Sequence, residues 1–229
     1  MALKTYTADN IEKEAFTCLL YAKPGDGKTT TIGKLPGKTV VLDIDKTSGV
    51  LKNSPNAKGI LIIDIDVDDI VNSMNEALAW LASNTDKYDN IAIDNVSELQ
   101  SCILSYYGQL GRNDGVPSQG DYQKFQFGLA RIIRNLKTLQ KRILLTAWQE
   151  LVDVTSPTGE QYTSFMPRIQ KSARDNVCGL CDVVGHLEIT STGERVIRLL
   201  STKNVYAKNQ HDDRKACRQE DLFSTGGNK

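Results

Sequence analysis

An excess of charge of either sign is missing from this chain. Its 229 residues carry 28 Lys and Arg against 28 Asp and Glu. Bulk charge therefore selects no partner, and any nucleic acid must be met by a local patch. Long apolar runs are missing too. No stretch reaches the roughly 18 apolar residues of a membrane span, so no membrane partner is expected. The opening MALKTYTADNIEKEAF has no apolar signal-peptide core. The five cysteines are odd in number and irregularly spaced. That is unlike a secreted disulfide framework, and a reducing cytoplasm is the expected compartment. There is no internal repeat and no long low-complexity segment. There is no N-K-x-D, the guanine-reading motif.

What is present is an ordinary soluble composition, 40% hydrophobic and 24% charged, at a length that buries a core of normal size. Apolar runs at 16–22, 38–44, 58–65, 88–94, 142–148, 182–189 and 195–201 predict strands, the last two joined by a hairpin turn at STGE. Helical periodicity marks 67–83 through Ile70, Met74, Leu78 and Leu81, and 126–140 through Leu129, Ile132, Ile133 and Leu136. Strands alternating with helices predict an α/β fold: a mostly parallel central sheet covered on both faces, with a C-terminal antiparallel hairpin. Residues 111–122 and 152–170 read as long loops, which are often functional. The expected organisation is an N-terminal segment (1–15), one domain (16–218) and a disordered tail (219–229).

The most informative stretch is YAKPGDGKTT, residues 21–30. It fits the phosphate-loop pattern G-x-x-x-x-G-K-[ST], with Ala22 in place of the first glycine. Ala22, Lys23, Pro24, Gly25, Asp26, Gly27, Lys28, Thr29 and Thr30 are the candidate phosphate-binding residues. Gly25 and Gly27 let backbone N–H groups curl around an anion. A helix starting just after aims its N-terminus at the same anion. Lys28 would reach the β- and γ-phosphates, and the Thr29 hydroxyl would ligate Mg²⁺. A strand–turn–helix corner without ligand is the plainer alternative.

A second signal is YDNIAIDNVSEL (88–99). Its strand ends in Asp94, the Walker B arrangement in which a carboxylate supports Mg²⁺. LIIDID (61–66) shows the same pattern and competes through Asp66. Asp94 is preferred because a polar helix start follows, with Ser97 and Glu98.

In this order, YAKPGDGKTT, VVLDIDKTSGVL (40–51), IAIDNVSEL and ILLTAWQE (143–150) resemble the motifs of phage-encoded RecA-like P-loop ATPases, including single-strand annealing recombinases. The resemblance runs from about 16 to 223. It implies a RecA-like fold, ATP and Mg²⁺ as ligands, a bacterial host cytoplasm, and ATP hydrolysis stimulated by single-stranded DNA. It also implies a homo-oligomer, ring or filament, and a single-strand DNA-binding protein as a partner. Asp43 and Asp45 fall at the family's acidic pair, whose second member polarises the attacking water. Glu98 competes with Asp45 for that role. Gln149 falls at the γ-phosphate sensor. The segment after it, through residue 176, interleaves Tyr162 and Phe165 with Arg168, Lys171 and Arg174, a pattern that suits single-stranded DNA. A solvated loop is the alternative there. Lys208 and Arg214 fall where the family's basic residues reach a neighbour's nucleotide; ordinary surface charge is the alternative.

Other signals lead elsewhere. Cys178 and Cys181 form one C-x-x-C, with His211 and Cys217 downstream, where structural zinc wants two spaced pairs. Buried positions on a helix explain them better. His186 and Trp80 read as core residues. Two rival functions remain at this point: a P-loop kinase for a nucleotide or small metabolite, and a nucleotide-switched assembly protein without DNA contact.

Overall fold

The structure, a computed structural model, describes Thr7 and residues 15–224. Most of the expected N-terminal segment thus lies outside the described residues, as do residues 225–229. Six parallel strands form the centre of the sheet: β1 (Thr17–Ala22), β2 (Thr39–Asp43), β3 (Ile60–Asp64), β4 (Asn90–Asp94), β5 (Arg142–Thr155) and β7 (Val183–Ile189). The antiparallel strands are β6 (Gln161–Pro167), β8 (Arg195–Arg198), β9 (Lys208–Asn209) and β10 (Ala216–Arg218). The order across the sheet is β10-β8-β7-β1-β5-β4-β2-β3, with β6 on β5 and β9 on β7. This is the mostly parallel α/β sheet that the apolar runs predicted, including the antiparallel C-terminal hairpin of β7 and β8.

Side chains alternate across the sheet as a two-residue period requires. Leu19 and Tyr21 join a core shared with α2 (Ile70–Ser83), α3 (Val96–Leu110), α4 (Gln119–Thr138) and α5 (Lys171–Leu180). Cys18, Leu20 and Ala22 face a second core holding Ile32 of α1 (Lys28–Ile32), Leu51, Leu222 and Phe223. Leu222 and Phe223 correct the expectation of a disordered tail from 219. Two apolar side chains and Gln219 are buried there, because α1 is too short to cover its face of the sheet alone.

Three other expectations need correction. The apolar run 58–65 predicts a strand covered on both faces, yet β3 is the sheet edge, with Leu61 48% and Ile62 41% exposed. The long loop before α4 shrinks to 111–118, because Ser118 starts the helix: its backbone N–H and hydroxyl donate to Asp121 at 2.9 and 2.7 Å, a capping arrangement readable as S-x-x-D. The supposed loop 152–170 is mostly a hairpin. Strand β5 runs on to Thr155 and returns as β6, paired from Gln149↔Pro167 to Thr155↔Gln161. The apolar–polar alternation of VDVT (152–155) was the overlooked strand signal.

Candidate active site

Strand β1 delivers the chain into a turn that only glycine makes easily. Gly25 (φ 87°) and Gly27 (φ 110°) both lie in the left-handed region. Lys28 then opens α1. Its side chain is buried and donates through Nζ to the carbonyls of Ala22 at 3.3 Å and Lys23 at 2.9 Å. The ammonium thus lies folded back along the loop, held by the carbonyl oxygens at its base. Burial pulls its pKa down, and Asp94, Asp26 and Asp45 work against that. Pro24, Thr29, Thr30, Asp45, Thr47 and Trp148 line one pocket with Lys28.

Parallel pairing in register sets Asp43 beside Asp94 at the ends of β2 and β4. Asp94 Oδ2 accepts from the Thr29 hydroxyl at 2.7 Å, and its Oδ1 accepts from Thr146. Burial lifts the Asp94 pKa to about 6; the Thr146 and Thr29 hydrogen bonds lower it, and the charges of Asp45 and Asp43 raise it. Asp43 Oδ1 is buried with no hydrogen-bond partner. A buried orphan carboxylate oxygen, a carboxylate paying for its charge and a threonine hydroxyl at one spot are a donor set that suits Mg²⁺. Among the described residues no three His, Cys, Asp or Glu side chains form a cage.

Asp45 faces this pocket, and its geometry is fixed by neighbours. Oδ1 accepts from the Thr47 hydroxyl at 2.6 Å, and Oδ2 accepts from the Asn95 amide. Asn95 also caps α3, accepting from Glu98 N at 2.8 Å. Glu98 faces elsewhere, into a cleft with Asp68, Cys102 and Tyr106. Asp66 is exposed, and its Oδ1 accepts from Asp68 N at 2.9 Å in a turn before α2.

Gln149 sits on β5 beside the phosphate loop, in a cleft shared with Lys23 and Asp26. The residues after it are less free than a loop would leave them. Arg174 is buried on α5 and pairs with Glu150 at 2.6 Å. Phe165 stacks on His186 with ring centroids 5.4 Å apart. These two correct the picture of a free interleaved loop, since hairpin and helix pack them inward. Tyr162 is half-buried on β6, while Arg168 and Lys171 are exposed. Arg168 lies over the Trp148 ring at 5.6 Å. Lys208 Nζ donates to the carbonyls of Cys178, Gly179 and Cys181, closing the C-terminus of α5. Arg214 pairs with Asp212 at 2.6 Å and donates to the carbonyls of Asp221 and Leu222. Within this chain both cations are thus already engaged. Cys178 and Cys181 are buried at the end of α5, with burial pushing both thiol pKa values up.

Several contributors carried no sequence signal. Thr146 and Asn95 orient the two acids. Arg195 donates through Nε to Asp26 O at 2.9 Å, and Gln219 donates to Gly27 O at 2.9 Å and to Thr31 Oγ1 at 2.8 Å. They brace the phosphate loop from strands and turns far along the chain, a relation only the folded structure exposes.

Comparison with known proteins gives one family match: a model described as an AAA domain covers residues 14–211. Among curated proteins no match is found. Among solved structures, the chain is similar to a KaiC-like protein from the hyperthermophilic archaeon Pyrococcus horikoshii OT3. The two share 14% identity at a TM-score of 0.44, over 81% of this chain and 78% of that one.

Proposed function

This chain belongs to the AAA domain family, and from that premise we propose that it hydrolyses ATP and works as an oligomer on single-stranded DNA, in recombination or strand annealing. The observation that carries the ATPase half is the cluster of Lys28, Thr29, Asp94 and Asp45 around one glycine turn. Lys28 leaves its two carbonyls to meet the β- and γ-phosphates. Thr29 and Asp94 would hold Mg²⁺, which when bound neutralises phosphate charge. Asp45, fixed by Thr47 and Asn95, accepts a proton from the attacking water and keeps it in line. Gln149 reads the terminal phosphate from the neighbouring strand.

Asp45 and Glu98 are separable by experiment. Asp45→Asn is expected to leave nucleotide bound while slowing turnover by on the order of 100-fold, because an amide cannot take the proton. Glu98→Gln is expected to stay within about threefold of the parent, since Glu98 faces a different cleft. Single-turnover rates of both variants check this; the reverse ranking gives the role to Glu98.

Support for the DNA half is the hairpin that continues directly from the sensor strand. Gln149 and Glu150 lie in β5, which runs uninterrupted to Thr155, so a shift at Gln149 is passed along a rigid strand. The hairpin carries the half-buried Tyr162 on β6, and the exposed cations Arg168 and Lys171 follow it. ATP turnover measured with and without single-stranded oligonucleotide tests the proposal. Stimulation by DNA is expected. Replacing Arg168 and Lys171 by alanine is expected to weaken DNA binding and to reduce its salt slope by about two. Turnover indifferent to DNA, with no binding even at low salt, would remove the DNA half and leave the ATPase.

A further inference from the structure

His186 is a buried titratable side chain that the scheme above leaves unused. Its Nε2 lies 2.9 Å from Gln149 Oε1. We propose that His186 is a positioning residue for the γ-phosphate sensor, deciding which end of the Gln149 carboxamide faces the nucleotide. This rests on the ATPase reading above. An amide oxygen only accepts, so the imidazole carries its proton on Nε2 and donates it. That commits Oε1 to His186 and leaves the NH₂ end of Gln149 as the free donor. Gln149 shares its cleft with Lys23 and Asp26 of the phosphate loop. A phosphate oxygen reaching that cleft would be an acceptor and would require a donor. A carboxamide turned the other way would set oxygen against oxygen.

The imidazole is built in firmly enough to impose this choice. It is 4% exposed. It lies flat on Phe165, with centroids 5.4 Å apart at 9°, and leans on Tyr21 at 4.9 Å. Phe165 is fixed in turn: its N–H donates to Asn204 O at 2.8 Å, and its carbonyl accepts from the Tyr21 hydroxyl at 2.9 Å. Parallel pairing of β1 with β7 sets Tyr21 beside His186. The other ring nitrogen, Nδ1, is buried without a hydrogen-bond partner. Glu188 Oε2 stands 4.0 Å away, outside hydrogen-bond range. Burial holds the His186 pKa below its ordinary value, so the ring is neutral near pH 7 and has a single proton to place. Leaving Nδ1 unpaired is costly. A leucine or phenylalanine would fill the space without that cost, so a histidine here is better explained by what Nε2 does.

The test compares affinity for ADP with affinity for a non-hydrolysable ATP analogue, because their difference reads the γ-phosphate alone. The parent is expected to prefer the analogue. His186→Phe keeps the ring stack but deletes the donor. It is expected to bind ADP within about twofold of the parent and to lose about tenfold of the preference, one hydrogen bond's worth. His186→Gln, which restores an N–H donor, should recover part of it. Gln149→Glu keeps the acceptor for His186 and deletes the donor toward phosphate, and it should lose the preference as well. A His186→Phe variant with the parent's preference overturns the proposal. So does a parent that does not distinguish the two nucleotides. If His186→Phe fails to fold, Gln149→Glu decides: an unchanged preference there overturns the assigned amide orientation. Failure of the ATPase reading looks different, since Lys28→Ala would then leave both nucleotides bound as in the parent.

Discussion

Lys28→Ala is expected to lower ATP turnover by on the order of 100-fold or more and to weaken nucleotide binding with it. The side chain is 6% exposed, and two loop carbonyls hold it within reach of the glycine turn. Alanine removes the one cation that Asp94, Asp26 and Asp45 all stabilise. With no nucleotide present, the charges of Asp94, Asp26 and Asp45 then have less to offset them. Lys28→Arg is not a rescue, because a planar guanidinium does not fit the path of a slender ammonium stem curled under a five-residue turn. Equilibrium titration of nucleotide against the purified variant, with circular dichroism to confirm the fold, measures the effect. Binding equal to the parent's would sink the phosphate-loop assignment.

Asp94→Asn is expected to abolish Mg²⁺-dependent turnover and, in EDTA, to make the protein more stable. In the metal-free fold, burial lifts the Asp94 pKa from 3.8 to about 6. Between those values the folded chain holds a proton that the unfolded chain has lost, so stability falls as pH rises through the window. Above about pH 6 the full penalty stands, on the order of 2–3 kcal/mol for a shift of this size. Asparagine accepts from one of the two threonine hydroxyls, donates to the other, and carries no charge. At pH 7.5 its melting temperature should exceed the parent's by about 5 °C or more. The gap should close as pH falls toward 4. Asp66→Ala, altered in an exposed turn, should leave turnover intact. A dead Asp66 variant beside an active Asp94 variant would reverse the choice of strand.

The two parts of the molecule differed in how plainly the sequence spoke of them. Strands β1, β2 and β4 announced themselves because both their faces are buried, so every residue from Thr17 to Ala22 is apolar or small. The glycine turn was legible because its pattern follows from backbone geometry within eight residues. Strand β3 misled because an apolar run implies cover, and this one has an open edge. The 152–170 stretch misled because half of each strand of the β5–β6 hairpin faces solvent and reads as polar. Contacts between distant residues were the least legible. Nothing in TSTGERVI or RQEDLF indicates that Arg195 and Gln219 reach the phosphate loop. Nor does a lone histidine in VVGHLEI reveal that it faces a glutamine 37 positions earlier.

The brace formed by Gln219 on Gly27 has a consequence for how the protein is made. Its two ends are separated by 192 positions. A ribosome releases residues at roughly 5–20 per second, so the glycine turn emerges some ten seconds or more before the amide that steadies it. Throughout that interval the growing chain carries the phosphate-loop motif without its finished frame. A polypeptide interrupted anywhere short of residue 219 would carry the nucleotide signature in its sequence and lack the support that shapes it in space.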